Sequence, residues 1–218
     1  MTFMNKTNKK IVQYLLDKDQ RESREYCDER DLWGLKLLVL LDPTAINYGL
    51  KADAYAFIGL YNKAIRNYSK ASKLDPENVK YIKYRAYNYS EIDRDDLALE
   101  DYKKVLLLDP TDEDSLFYSS FIYARMKEYE TALVGFNKII ELYPTNIQVN
   151  FEKGVILSIL GKDDEAIENI KTGIKLNPDL LGLVFQMSLH KTNQQDDNKC
   201  IVNFNKVYEE YHPVECDE

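Results

Sequence analysis

Residues 81–110 read YIKYRAYNYSEIDRDDLALEDYKKVLLLDP, and the way this stretch ends decides how the rest of the chain is read. Its closing Pro110 has counterparts at Pro43, Pro76, Pro144 and Pro178, at successive spacings of 33, 34, 34 and 34 residues. Pro43, Pro76 and Pro110 each close the same Leu-Asp-Pro tripeptide. A fixed period of this length marks a repeat architecture, in which each unit is one supersecondary motif that buries its apolar face only against its neighbours.

Taking Ala45, Val79, Glu113, Ile147 and Leu181 as the first residues of 34-residue rows brings chemically alike side chains into columns. Column 20 holds Ala64, Ala98, Ala132, Ala166 and Cys200, and column 8 holds Ala52, Ala86, Ser120, Gly154 and Ser188. Small residues on two facing helices let the backbones approach to the short end of the usual interaxial range of about 8–10 Å. Large groups flank them: Tyr55, Tyr89, Tyr123 and Leu157 in column 11, and Tyr68, Tyr102, Phe136, Ile170 and Phe204 in column 24. The apolar columns 4, 8, 11 and then 20, 21, 24, 27, 28 recur at helical spacing, so each row is expected to be two helices. Between them, near columns 15–18, stand Gly59, Gly161, Asp95 with Asp96, and Asp163 with Asp164, residues that break or cap helices. The proline then ends the second helix, because it fixes φ and has no amide to donate.

These residues resemble the tetratricopeptide repeat, whose rows combine small residues at columns 8 and 20, aromatics at 11 and 24, and a proline at 32. Four rows carry the resemblance well, 45–78, 79–112, 113–146 and 147–180. It implies an all-α fold, a right-handed superhelical solenoid of stacked antiparallel helix pairs, about six pairs when degenerate ends are included. The chain departs from the family at column 7, usually leucine and here Lys51, Arg85, Ser119 and Lys153, and at column 27, where Gly173 replaces alanine. Both departures are expected to loosen packing locally. Residues 1–44 end in Leu41-Asp42-Pro43 and offer Tyr14, Leu15 and Leu16 for a first helix, but lack the column-20 alanine. Residues 181–218 keep Cys200, Phe204 and Val207 in column, with Lys191 in column 11 and the proline displaced to Pro213. Both ends are read as capping units, which are atypical because one face meets water.

Composition excludes much else. The net charge of −8 comes from 37 acidic and 29 basic residues spread along the chain, so nucleic acid is not expected as a partner. Cys27, Cys200 and Cys216 form neither an even set nor a CxxC pair, which suits reduced thiols. The start of the chain has no secretory apolar region, and the longest aliphatic run, Leu37 to Leu41, is too short to span a bilayer, so a cytoplasmic protein without a membrane partner is expected. His190 and His212 are the only histidines, and no glycine-rich phosphate loop occurs, so neither an enzyme nor a cofactor is expected. His212 and Cys216, four residues apart, are too few ligands for a metal site.

Binding to another protein remains. The resemblance implies that the first helices of successive rows line a concave groove through columns 2, 5, 6, 9, 12 and 13. Columns 6 and 9 hold Tyr84, Tyr87, Tyr118 and Phe121, more aromatic surface than a solvated face carries, and tyrosine offers apolar area with little side-chain entropy to lose. Around these anchors the expected groove includes Lys80, Lys83, Arg125, Glu152 and Val155, while Phe117, Phe151 and Phe185 in column 5 are assigned to packing. The family's clamp for the acidic tail of heat-shock chaperones needs Lys and Asn residues, but its positions hold Gly49, Asp53, Tyr84, Asp114 and Tyr118. That tail is therefore not expected as the ligand. The reading is an adaptor that holds a peptide or helix of a partner, with a dedicated chaperone for a secreted or hydrophobic protein as the alternative.

Overall fold

A computed structural model describes residues 29–177 and, beyond them, 202–203, 205–208 and 210–211. Among the described residues there are helices and no strands. In order they are α1 (Glu29–Leu41), α2 (Ala45–Phe57), α3 (Tyr61–Leu74), α4 (Val79–Ser90), α5 (Asp95–Leu108), α6 (Glu113–Arg125), α7 (Tyr129–Leu142), α8 (Ile147–Ile159) and α9 (Asp163–Leu176). Each row is thus a helix pair: α2 packs on α3, α4 on α5, α6 on α7 and α8 on α9. The chain forms two compact units, residues 1–110 and 111–218.

The proline that closes a row is followed within two residues by a capping side chain. Thr44, Asn78, Asp112 and Asn146 accept hydrogen bonds from the backbone N–H of Asn47, Lys80, Ser115 and Val149, which would otherwise lack partners in the first turn. The residue before each of these prolines has left the helical region, with φ −138° at Asp75, −130° at Asp109, −132° at Tyr143 and −147° at Asn177. A following proline ring disfavours the helical conformation in the residue before it, which stops the second helix. At the seam inside each row the chain turns through one left-handed residue, always in column 15: Gly59 at φ 73°, Asp93 at 57°, Lys127 at 64° and Gly161 at 74°.

The columns pack as their contents require. Ala64, Ala98, Ala132 and Ala166 have no exposed surface, nor do Ala52 and Ala86 facing two of them. At Gly154 a Cβ would lie 3.3 Å from the backbone carbonyl oxygen of Ala166, so the two helices touch where the small columns meet. Tyr102, Phe136 and Ile170 of column 24 are fully buried, and burying each such side chain stabilises the fold by about 1.5–3 kcal/mol.

In each of the two departing columns one position proves to be an occupied site. Arg85 pairs with Asp101 through Nε at 2.6 Å and Nη2 at 2.8 Å, and its Nη1 reaches Ser69 Oγ at 3.2 Å. A forked ion pair stands where leucine is usual. At Gly173 a Cβ would lie 2.7 Å from the Phe151 ring, so the missing methyl is the space that Phe151 fills. At Arg85 and Gly173 the expected loosening is absent, whereas Lys51, in the same column as Arg85, lines an open basin.

At the N-terminal end, Leu35, Leu38 and Val39 of α1 are buried and α1 packs on α2. Tyr14, Leu15 and Leu16 lie outside the described residues, as do Cys27, Phe185, His190, Lys191, Cys200, Phe204, His212, Pro213 and Cys216. In the second unit, Val207 is fully buried against Phe151, Ile170 and Ile174. Asn203 Nδ2 donates to Ser158 Oγ and Asp163 Oδ1, both at 2.9 Å, and Lys171 pairs with Glu210. Asn203, Val207 and Glu210 therefore contact α8 and α9.

Candidate functional site

In the first unit, Lys80, Lys83, Tyr84 and Tyr87 follow one another along α4 at spacings of three, one and three residues, which gathers them on one face. Tyr84 is 43% exposed and Tyr87 37%. Lys80 is exposed and Lys83 half-buried. The Tyr84 ring lies 5.9 Å from that of Tyr68, tilted by 47°, and Tyr68 is fixed from below: it is buried, and its hydroxyl donates to Asp53 Oδ1 at 2.5 Å. Burial first, and then that hydrogen bond, push the Tyr68 hydroxyl far above the usual tyrosine range. An open tyrosine thus rests on a buried one that stays protonated.

The second unit repeats this arrangement in α6 and α7. Phe117 is half-buried, and its ring centroid lies 6.0 Å from that of the fully buried Phe136. Tyr118 meets Phe117 edge-on at 5.4 Å, and Phe121 stacks on it at 6.4 Å with 14° between the ring planes. A chain of rings therefore runs from the core out to Phe121, which is 38% exposed, while Tyr118 is half-buried. Arg125 is exposed at the end of α6. On α8, which touches α6, Glu152 is half-buried and burial holds its carboxyl above the ordinary carboxylate range. Val155 is half-buried and packs against the cluster that holds Phe151 and Ile170, so it serves the core.

The positions of the chaperone-tail clamp also have other uses. A Cβ at Gly49 would lie 2.7 Å from Tyr81 Cε1, so a lysine there would displace the buried Tyr81, and Asp53 is engaged by Tyr68.

Two features are not apparent when the columns alone are read. The Arg85–Asp101 pair joins residues 16 apart on different helices, and neither type announces the other. The second is the face of α3 that carries Lys63, Arg66, Lys70 and Lys73. Charge is evenly spread over the chain as a whole but not in this helix, and the spacing of its four cations was the available signal.

Among the described residues no helix is long and apolar enough to cross a membrane, and no group of three or more His, Cys, Asp or Glu could hold a metal ion.

Family models for the tetratricopeptide repeat match residues 45–78, 114–146 and 136–168. No curated protein matches the sequence. Among solved structures, MamA (residues 41 to the end) from Desulfovibrio magneticus RS-1 is similar with a TM-score of 0.70 at 20% identity, over 81% of this chain and 98% of that one. A tetratricopeptide repeat protein from Parabacteroides merdae has a TM-score of 0.70 at 18% identity, over 94% of this chain and 80% of that one. YrrB, described as a TPR protein with an unusual peptide-binding site, has a TM-score of 0.59 at 16% identity, over 83% of this chain and 93% of that one.

Proposed function

We propose that this chain, which is a tetratricopeptide-repeat protein, binds other proteins, taking a peptide or helix of a partner on the first-helix faces that carry Tyr84, Tyr87, Tyr118 and Phe121. The observation that carries the reading is the exposure of aromatic rings braced from beneath by buried ones. A braced ring has already lost its rotamer freedom, so contact with a partner costs little further entropy. Lys80, Lys83 and Arg125 surround the anchors with polar groups suited to a rim, and Glu152 and Val155 extend the face of the second unit onto α8. The fold shared with YrrB, a repeat protein that has a peptide-binding site, supports a peptide as the ligand class.

The test is selection of a binding peptide by display on the wild-type protein, followed by calorimetric titration of that peptide into wild type, Tyr118→Ala and Phe121→Ala. Each truncation is expected to weaken binding by about 2 kcal/mol or more, as for anchor residues of an interface. Affinities equal to wild type in both variants would move the site elsewhere.

A further inference from the structure

Helix α3 carries Lys63, Arg66, Lys70 and Lys73 and contains no Asp or Glu. Spacings of three, four and three residues place all four cations on one side of the helix. Lys51 of α2 joins them, and the five line an open basin of ≈ 680 Å³ in the first unit. None of the aromatic anchors described above lines it.

Among the described residues that line the basin none is acidic. Among the described residues none of the five cations forms an ion pair, and Asp53, the only acid in α2, accepts a hydrogen bond from the Tyr68 hydroxyl. Two of the ammonium groups lie over tyrosine rings, Lys63 Nζ 5.6 Å from the centre of Tyr55 and Lys70 Nζ 5.2 Å from that of Tyr48. A ring face orients a cation without cancelling its charge. Burial, then the nearby charges of Lys70 and Lys36, pull the Lys51 ammonium below its ordinary pKa. Like charges have been gathered here in a protein whose net charge is −8, and an anion entering the basin would relieve their repulsion.

We propose that this basin is a second binding site, which takes a short Asp- and Glu-rich segment of a protein through Lys51, Lys63, Arg66, Lys70 and Lys73. Its size favours a short segment over a nucleic acid. From Lys63 to Lys73 the helix advances about 15 Å, the length of roughly four or five extended residues. A longer phosphate backbone would leave the basic face for the acidic remainder of the chain. Asn67 and Ser69 in the lining and the ring of Tyr89 at its edge suit a polypeptide with mixed polar and apolar groups.

The test uses the full chain and a fluorescently labelled ten-residue peptide of alternating Asp and Glu, titrated at low salt, with a labelled single-stranded DNA decamer and inorganic phosphate as comparison arms. The peptide is expected to bind more tightly than the DNA, and the double reversal Arg66→Glu/Lys70→Glu to weaken it at least about tenfold. The same charge change placed at the exposed Lys138 and Lys175, neither of which lines the basin, is expected to shift affinity by less than about twofold, as for charges outside the contact. If the double reversal fails to fold by circular dichroism, Lys70→Gln carries the test, with an expected loss of about threefold. Failure of the peptide to bind, an equal loss from the Lys138 and Lys175 reversals, or binding of the DNA or phosphate as tight as the peptide would overturn the proposal. Tyr118→Ala is expected to leave this binding unchanged, which separates its outcome from that of the aromatic faces.

Discussion

Glu152 has its carboxyl raised by burial, so the fold favours its neutral form. That preference contributes stability in full below the ordinary glutamate pKa of about 4.3 and is lost as the pH rises through the raised value. At neutral pH an ionised Glu152 therefore costs stability. Glu152→Gln is expected to melt at a higher temperature than wild type at pH 7, with the gap closing below about pH 4, where both side chains are neutral. A gap that is independent of pH would show that the carboxyl is well solvated. Arg85 and Asp101 make the opposite case, since each side chain satisfies the other. Asp101→Ala is expected to cost about 3 kcal/mol in urea denaturation, because it strands a guanidinium that is mostly buried. The double change Arg85→Leu/Asp101→Ala, which restores the leucine usual at column 7, is expected to recover most of that loss. An equal loss in the double variant would mean that the pair itself, and not the stranded charge, provides the stability. Nothing at Arg85 in the sequence foretold this, because a column shows which residue deviates and not which residue answers it.

Within each row the seam is the most constrained element. All four described turns place column 15 in the left-handed region, which suits Gly59 and Gly161 and strains the side chains of Asp93 and Lys127. Lys127→Gly is expected to raise stability by about 1 kcal/mol, Asp93→Gly by less because aspartate tolerates this conformation better, and Gly161→Ala to lower it by about 1 kcal/mol. Chemical denaturation of the three variants checks the order, and a destabilised Lys127→Gly would contradict it. The helix boundaries were readable because prolines and seam residues recur in register, and so were the small columns, because only small side chains fit there. Asp93 and Lys127 hid the shared turn, since neither type advertises a positive φ as glycine does. The aromatic faces were partly legible: the spacing of Tyr84 with Tyr87, and of Tyr118 with Phe121, placed them on first-helix faces, but the bracing by Tyr68 and Phe136 comes from other helices.

Over the whole chain the repeat period was plain from five prolines, whereas the division into units at residues 110 and 111 was not. The rows run through that point in register, and no change of composition marks it. Arrays whose contacts are mainly between neighbours unfold by parts when some parts are less stable than others. Native-state hydrogen exchange is accordingly expected to give different opening free energies for helices α2 to α5 and for helices α6 to α9. A single common value for both groups would make the chain one cooperative body. The ion pair of α4 and α5 also bears on how this protein can be recombined. Arg85 and Asp101 belong to one row, so a graft of residues 79–112 into another array brings its own counter-charge, and of the hydrogen bonds that Arg85 makes it leaves behind only the one to Ser69. A chimera spliced at the seam, joining α4 to the second helix of the next row, would set Arg85 opposite Gly135, the occupant of the same column as Asp101. Crossovers at the prolines preserve a balanced module, and crossovers between the two helices of a row orphan a charge.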